Sequence, residues 1–339
     1  MIHHDRLESL FRKFSLLHLI VIGDYFLDKY LVVDPALAEA SLETGLEARQ
    51  VVEIRNSPGA AGTVTNNLSA LGIGRITSLG VIGDDGEGDD LIRGLRRTGV
   101  ECAKLIRDSN RFTPTYIKSM SRDAVGEREL ERLDICNRKI LTNDQENLLL
   151  EQLCILLNTN NHPIHGVIVA DQVNERNHGV ITDRVRTELG CIAQRYPHTC
   201  FFADSRMRIG EYRSMMVKPN LSEGRQAAGD KSKELTSEEI AQRINSQCGR
   251  TVYLTMGGSG IQVYNEFLSE IVPALPVTGP IDIVGAGDST SSGIVSALAA
   301  GASPLEAAEI GVLCAAVTIG KLGTTGTASQ AEILDAVGM

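Results

Sequence analysis

Short, near-continuous apolar runs recur along the chain, and stretches with helical spacing separate them. Residues 17–23 (LHLIVIG) form one such run, closing on Gly-Asp; others lie at 80–83, 166–170, 214–217 and 252–256. A strand that is apolar on both faces belongs in the interior of a parallel sheet. Helical periodicity predicts helices at 60–71, 87–98, 144–157, 178–194, 237–246, 288–300 and 304–320. Strands alternating with helices imply an α/β fold, a doubly wound and mostly parallel sheet with helices on both faces. Such sheets bind ligands beyond the carboxyl ends of their strands. That rule draws attention to Asp24, Asp171, Asn220 and Gly257, each just past a predicted strand, and to Asp204 in A-D-S-R.

Two polar segments break the alternation, 28–56 and 113–137. Each contains short alternating stretches such as Thr115-Tyr116-Ile117-Lys118. Long structureless loops are uncommon in compact domains, so both are expected to form a small β-sheet lid within a single α/β domain spanning 1–339.

Bulk properties narrow the class. The formal net charge is −10, from 33 basic and 43 acidic residues, which argues against nucleic acid as the main partner. No apolar run approaches a membrane span, and the start of the chain lacks the plan of a signal peptide, so a cytoplasmic protein is expected. The 7 cysteines are scattered without a C-x-x-C pair, which reads as reduced thiols. The 7 histidines form no H-E-x-x-H pattern, and no zinc site is expected.

The most informative stretch is Asp282-Ile283-Val284-Gly285-Ala286-Gly287-Asp288, placed between an extended segment and a run of small helix-compatible residues. A Gly-rich turn opening a helix presents backbone N–H groups to an anion, and the helix dipole favours negative charge there. An aspartate beside such a site suits a general base that takes a proton from a hydroxyl attacking a phosphoryl group. Taken alone, the same residues also fit an ordinary Gly turn with an acidic first helical turn.

Two familiar phosphate-binding motifs are missing. No G-x-x-x-x-G-K-[ST] occurs, and Gly23-Asp24-Tyr25-Phe26 stands where a dinucleotide fold would carry G-x-G-x-x-G. What remains is an ordered set. It runs Gly23-Asp24 with Asp28; Pro58-Gly59-Ala60-Ala61-Gly62; Lys218-Pro219-Asn220-Leu221-Ser222-Glu223; Thr255-Met256-Gly257-Gly258-Ser259-Gly260; and the final D-x-x-G-A-G-D. This set resembles the ribokinase-like, or phosphofructokinase-B, carbohydrate kinases from about Leu17 to the C-terminus.

The resemblance implies roles. Asp288 is the base, and Gly285, Ala286 and Gly287 form the anion hole. Asn220 and Glu223 place Mg²⁺, partly through water, near the phosphates of ATP. Thr255, Gly257, Gly260 and Asp282 line the nucleotide site together with Asn220. Asp24, Asp28, Gly59, Thr63, Lys118 and Arg132 bind the acceptor, a sugar or sugar phosphate. A monovalent cation and a homodimer paired through the lids are also implied. The physics agrees: phosphoryl transfer needs positioning and charge neutralisation, carboxylates accept from paired hydroxyls, and Mg²⁺ keeps much of its water shell. Alternatives stay open residue by residue. Asp24 and Asp28 also suit strand-end capping, Asn220 and Glu223 a helix start, and Lys118, Arg122 and Arg132 a solvated face. Lys218, Asp171 and Asp204 stand evenly between a site role and a structural one.

Within the family, three stretches resemble the heptose 7-phosphate kinase domain of ADP-heptose synthesis: Arg132-Leu133-Asp134, residues 219–223, and 319–324. Departures accompany them. Thr63 and Ala60 replace the Asn and second Gly of G-G-x-x-N, Met120 replaces a basic lid residue, and 38–50 lacks a proline-rich start to the lid. A following nucleotidyltransferase domain is not expected. A ribo-, fructo- or nucleoside kinase remains an alternative, as does a sensor that binds sugar or nucleotide without turnover.

Overall fold

The computed structural model describes residues 2–123, 126–159, 163–323 and 325–338. A nine-stranded sheet forms its centre, in the order Leu268–Val272, Ile261–Asn265, Val252–Thr255, Met216–Val217, Cys200–Ser205, Gly166–Asp171, His18–Gly23, Arg75–Gly83, Glu101–Asp108. All pairings are parallel except those of the hairpin Ile261–Asn265/Leu268–Val272 at one edge. Alternate residues of the first strand feed opposite cores: Leu19 and Val21 pack into one, Ile20 and Ile22 into the other. Burial on both faces is why this strand reads as a continuous apolar run. Chain order reverses between His18–Gly23 and Gly166–Asp171, and this switch point opens a crevice at their carboxyl ends. Among the described residues, no helix is long and apolar enough to cross a membrane.

The two polar segments form a separate four-stranded sheet in the order Val51–Ala60, Tyr25–Val33, Thr115–Asp123, Gly126–Ile135. Residues 124 and 125 of the second lid segment lie outside the described residues. Register decides which side chains share a face. Asp28 pairs with Tyr116 and Tyr116 with Asp134, while Tyr30 pairs with Lys118 and Lys118 with Arg132. With a period of two, these six lie on one face, and Leu31, Ile54, Ile117 and Leu133 lie on the other.

Several boundaries differ from the sequence reading. The helix expected at 178–194 is Asp183–Arg195, capped by Thr182, because the Val180 amide is drawn away to Asp24 and Asn177 takes a positive φ of 66°. The strand expected at 214–217 shrinks to Met216–Val217, since Ser214 sits at φ 62°. The run at 80–83 is the end of a longer strand whose polar start hides it: Thr77 is buried because it bonds His18 and Glu101. The amphipathic helix His4–Phe14, the strand Glu101–Asp108, the edge hairpin and the helix Gln330–Gly338 were not anticipated.

Ala60, the residue standing in place of a second glycine, joins the two sheets at the N-cap of the helix Ala61–Ala70 with φ 54° and ψ −116°. A Cβ is strained in that region, whereas glycine is not. Ala60→Gly is expected to raise stability by about 1 kcal/mol, strain relief exceeding the added freedom of the unfolded chain. Urea unfolding with a higher midpoint and unchanged slope would show it.

Candidate active site

The helix Ala286–Ala299 begins at the D-x-x-G-A-G-D turn, and its cap residue Gly285 adopts φ 81°. A methyl group there would come within 2.6 Å of Thr325 Cγ2 as well as being strained, so glycine is required twice over. Asp282 shapes the turn: one oxygen of its carboxylate accepts the Val284 N–H at 3.0 Å, and its own N–H donates to the Ile319 carbonyl at 2.8 Å. The turn is thereby tied to the C-terminal end of the helix Pro304–Ile319. Behind the turn the helix is made of small residues, and Gly293 and Gly311 bring the two helices into close contact. The Ala286 N–H donates to the Ile283 carbonyl at 3.2 Å, and no side chain caps the helix start, so the next N–H groups have no acceptor within the helix, the condition that favours an anion at a helix N-terminus. Thr324, the last residue of the C-terminal stretch, lies outside the described residues.

Asp288 occupies the first turn of this helix. It retains some access to the crevice, yet protein surrounds it closely enough that its charged form is poorly solvated. Burial first, and the neighbouring Asp204 carboxylate second, push its pKa to about 7. Lys218 and Arg206 oppose that rise, and Asp28, across the crevice on the small sheet, adds to it. A carboxyl held near neutrality beside an anion site is poised for proton abstraction.

Two residues left undecided by the sequence complete this centre. Lys218 is buried, and its Nζ lies 3.0 Å from Asp204 Oδ2, which also accepts the Ser291 hydroxyl at 2.7 Å. A methyl group added at Gly287 would sit 3.5 Å from that Nζ, so the ammonium faces the anion turn. Burial works against the Lys218 charge, but Asp204 and Glu223 outweigh it and raise the pKa. The signal in the sequence was K-P-N beside A-D-S-R, each motif placing a charge at a strand end.

Asn220 and Glu223 form a reciprocal cap on the helix Leu221–Ala228: Asn220 accepts the Glu223 N–H at 2.9 Å, and Glu223 accepts the Asn220 N–H at 2.8 Å. Burial raises the Glu223 pKa, while the bonded Asn220 amide pulls it down. One oxygen of each side chain suffices for the cap. Thr255 donates its N–H to the Pro219 carbonyl at 2.9 Å, joining the two loops. Gly257 opens a single 3₁₀ turn and Gly260 follows it, at φ 57° and 91°, and a Cβ at Gly260 would strike the Val272 carbonyl at 2.0 Å.

On the small sheet, Asp28 packs over Gly59, where an added Cβ would approach Asp28 Oδ2 to 2.5 Å. Its pKa is raised by burial and held back by Lys118 and Arg132. Lys118 Nζ lies over the Tyr30 ring, and Arg132 over that of Tyr116 while forking onto Asp134. Arg122, by contrast, is tied to Glu53 and Glu127. The buried Thr63 brings its methyl group to the Gly285 turn, 3.8 Å from where a Cβ on that glycine would lie.

Asp24 stands apart. Its oxygens accept three backbone N–H groups, from Gln172 (2.8 Å), Val173 (3.2 Å) and Val180 (2.6 Å). Burial and the nearby Asp171 nonetheless raise its pKa to about 6. The geometry is that of an anchor fixing the loop after Gly166–Asp171, the strand-end role the sequence left open for it. Asp171 is similarly engaged, by Ser205, Arg208 and Tyr212.

The crevice thus gathers a glycine-rich helix start, a carboxyl with a pKa of about 7 and a buried ammonium at a switch point beneath a small sheet. This is the arrangement of a phosphotransferase built on a doubly wound sheet. The chain matches the model of the "pfkB family carbohydrate kinase" over residues 28–331 and belongs to that family. The family is one of carbohydrate kinases. Among curated proteins it is similar to "Bifunctional protein HldE" of Desulfatibacillum aliphaticivorans, 26% identical over 323 residues that cover 94% of this chain. The chain spans 63% of that relative's length. Among solved structures it is similar to phosphofructokinase-2 from Escherichia coli in complex with potassium, with a TM-score of 0.70, 19% identity and coverage of 95% and 98% of the two chains. It is also similar to Arabidopsis thaliana ribokinase complexed with ribose and ATP, with a TM-score of 0.67, 15% identity and coverage of 95% and 99%. These likenesses confirm the ribokinase-like fold.

Proposed function

We propose that the protein transfers the γ-phosphoryl group of Mg-ATP to a hydroxyl of a sugar or sugar phosphate, with Asp288 as general base. The observation that carries this reading is the position of Asp288, near neutral in pKa and facing Asp28 across the crevice at the start of the anion-binding helix. Asp28 and the lid face orient the acceptor. Asp288 then takes the proton of the attacking hydroxyl, and the N–H groups of the 285–287 turn and the Lys218 ammonium balance charge on the transferring group. Thr255, Gly257 and Gly260 shape the nucleotide side.

The residues present suit magnesium. Among the described residues, no cluster of three or more His, Cys, Asp or Glu side chains is spaced to hold a metal alone. Mg²⁺ fits such a site because it binds chiefly through phosphate oxygens and water, with Glu223 and Asn220 as outer partners. When bound, it neutralises phosphate charge. The small sheet is read as a lid that excludes water, within one ribokinase-like domain. Ile54 and Leu133, apolar and exposed on its other face, favour pairing of two lids in a homodimer. A heptose 7-phosphate-like acceptor is favoured by residues 132–134 and 219–223, and a cytoplasmic setting suits an ATP-dependent kinase.

ADP release with Mg-ATP across free sugars, sugar phosphates and nucleosides tests the reading. Turnover with a sugar or sugar phosphate that stops on removing metal with EDTA is expected. Ligand binding without ADP release from any acceptor would favour a binding-only protein.

A further inference from the structure

Most positive charge around the crevice is already neutralised. Arg132 forks onto Asp134 at 2.6 and 2.9 Å, Lys218 pairs with Asp204 at 3.0 Å, and Arg208 pairs with Asp171 at 3.0 Å. Arg206 differs. It follows the strand Cys200–Ser205, and its backbone N–H is fixed on the Asp171 carbonyl at 3.1 Å. Its guanidinium is exposed and makes no ion pair or side-chain hydrogen bond among the described residues. It is nevertheless close enough to Asp288, Glu223 and the Tyr116 hydroxyl to influence the charge of each.

Arg206 also stands at the junction of two cavities. One, of about 150 Å³, lies at the switch point, between Phe26, Tyr116 and Asp134 of the small sheet and the loop around Gln172 and Val180. The other, of about 290 Å³, lies on the side of Glu223 and Gln226. In the first, Asp24 is committed to backbone amides and Asp134 to Arg132, while the third acid, Glu175, is exposed and lies 4.0 Å from Arg138 rather than on Arg206. Its other arginine, Arg111, donates to the Lys139 and His178 carbonyls. Arg206 therefore brings to this space a guanidinium with no acid of its own. A planar fork of donors matches phosphate oxygens two at a time.

Resting on the kinase reading, we infer that the cavity between the small sheet and the 172–180 loop is an acceptor-phosphate subsite, with Arg206 as its anion receptor. The acceptor then carries a phosphate at a position apart from the attacking hydroxyl, and Arg206 sets the preference for phosphorylated over free sugars. The sequence pointed instead to the lid cations Lys118, Arg122 and Arg132. Arg122 and Arg132 are occupied by carboxylates, and Lys118 lies over Tyr30 on the Asp28 side.

The same phosphate chemistry exists on the nucleotide, so the test separates the two sources. Arg206→Gln and Arg206→Lys are assayed with matched hexoses, heptoses and their phosphates at saturating ATP. The same sugar phosphates, and inorganic phosphate, are titrated calorimetrically into nucleotide-free protein. Arg206→Gln is expected to lower kcat/KM for sugar phosphates relative to the matched free sugars by about 10- to 100-fold, with part restored in Arg206→Lys. Sugar phosphate binding weakens in parallel without nucleotide. Equal losses on phosphorylated and free sugars, or a change confined to the KM for ATP, would assign Arg206 to the nucleotide and overturn the inference. So would a wild-type protein that binds none of the phosphate-bearing probes. ADP release from free sugars in that case would leave the kinase reading standing.

Discussion

Asp288→Asn is expected to lower kcat by about 10²–10⁴-fold, the usual contribution of a positioned general base, with ATP binding retained. The amide keeps the shape of the carboxyl but cannot take the hydroxyl proton. Calorimetric titration of ATP alongside the assay separates lost chemistry from lost binding. The same substitution should stabilise the fold at alkaline pH. Because the folded pKa is raised from 3.8 to about 7, the folded state binds more protons than the unfolded chain across that window. Stability therefore falls as pH rises through it, and above pH 7 the folded protein carries an ill-solvated charge. Removing that charge is expected to add about 1–3 kcal/mol at pH 8 and little at pH 4, allowing for the opening to the crevice. Greater stability with lost activity is the signature of a group held out of its preferred state for function.

Lys218→Met carries the second large effect, a fall in kcat of about 10²–10³-fold, comparable with deleting one donor from an anion hole. Its Nζ is the only buried ammonium described at the anion turn, held there by Asp204. The single substitution also strands the buried Asp204 charge, which costs about 3–5 kcal/mol and endangers folding. Combined with Asp204→Asn, the loss of charge is balanced and the fold should recover, but activity should not. A purely structural Lys218 would instead regain turnover in the double variant. The pH profile gives a further readout. Since Lys218 lowers and Asp204 raises the Asp288 pKa, Asp204→Asn alone should move the acid limb of activity to lower pH.

The buried parallel strands were legible because they are apolar on both faces, and the terminal turn because Gly285 and Gly287 stand at the start of a helix of small residues. The small sheet was legible from its alternation, but the register that places Asp28, Lys118 and Arg132 on one face was not. Other features depended on partners distant in sequence. Thr77 lies in a buried strand only because Glu101 and His18 satisfy its hydroxyl. Asp24 sits in a motif that implies substrate contact, yet amides some 150 residues onward occupy its oxygens. Lys218 and Asp204 could not be paired from spacing alone, because two parallel strands bring them together. Arg206 gave no signal beyond its place after a strand, since what distinguishes it is the cavity it faces.

The most direct test of the central claim is the pH dependence of kcat/KM for the acceptor, measured from pH 5 to 9 with ATP saturating. Activity is expected to fall tenfold per pH unit on the acid side of a limb near pH 7, where Asp288 becomes protonated. The limb should be missing from whatever residual activity Asp288→Asn retains. A level profile across this range, or a variant with the rate and limb of the wild type, would contradict Asp288 as the base.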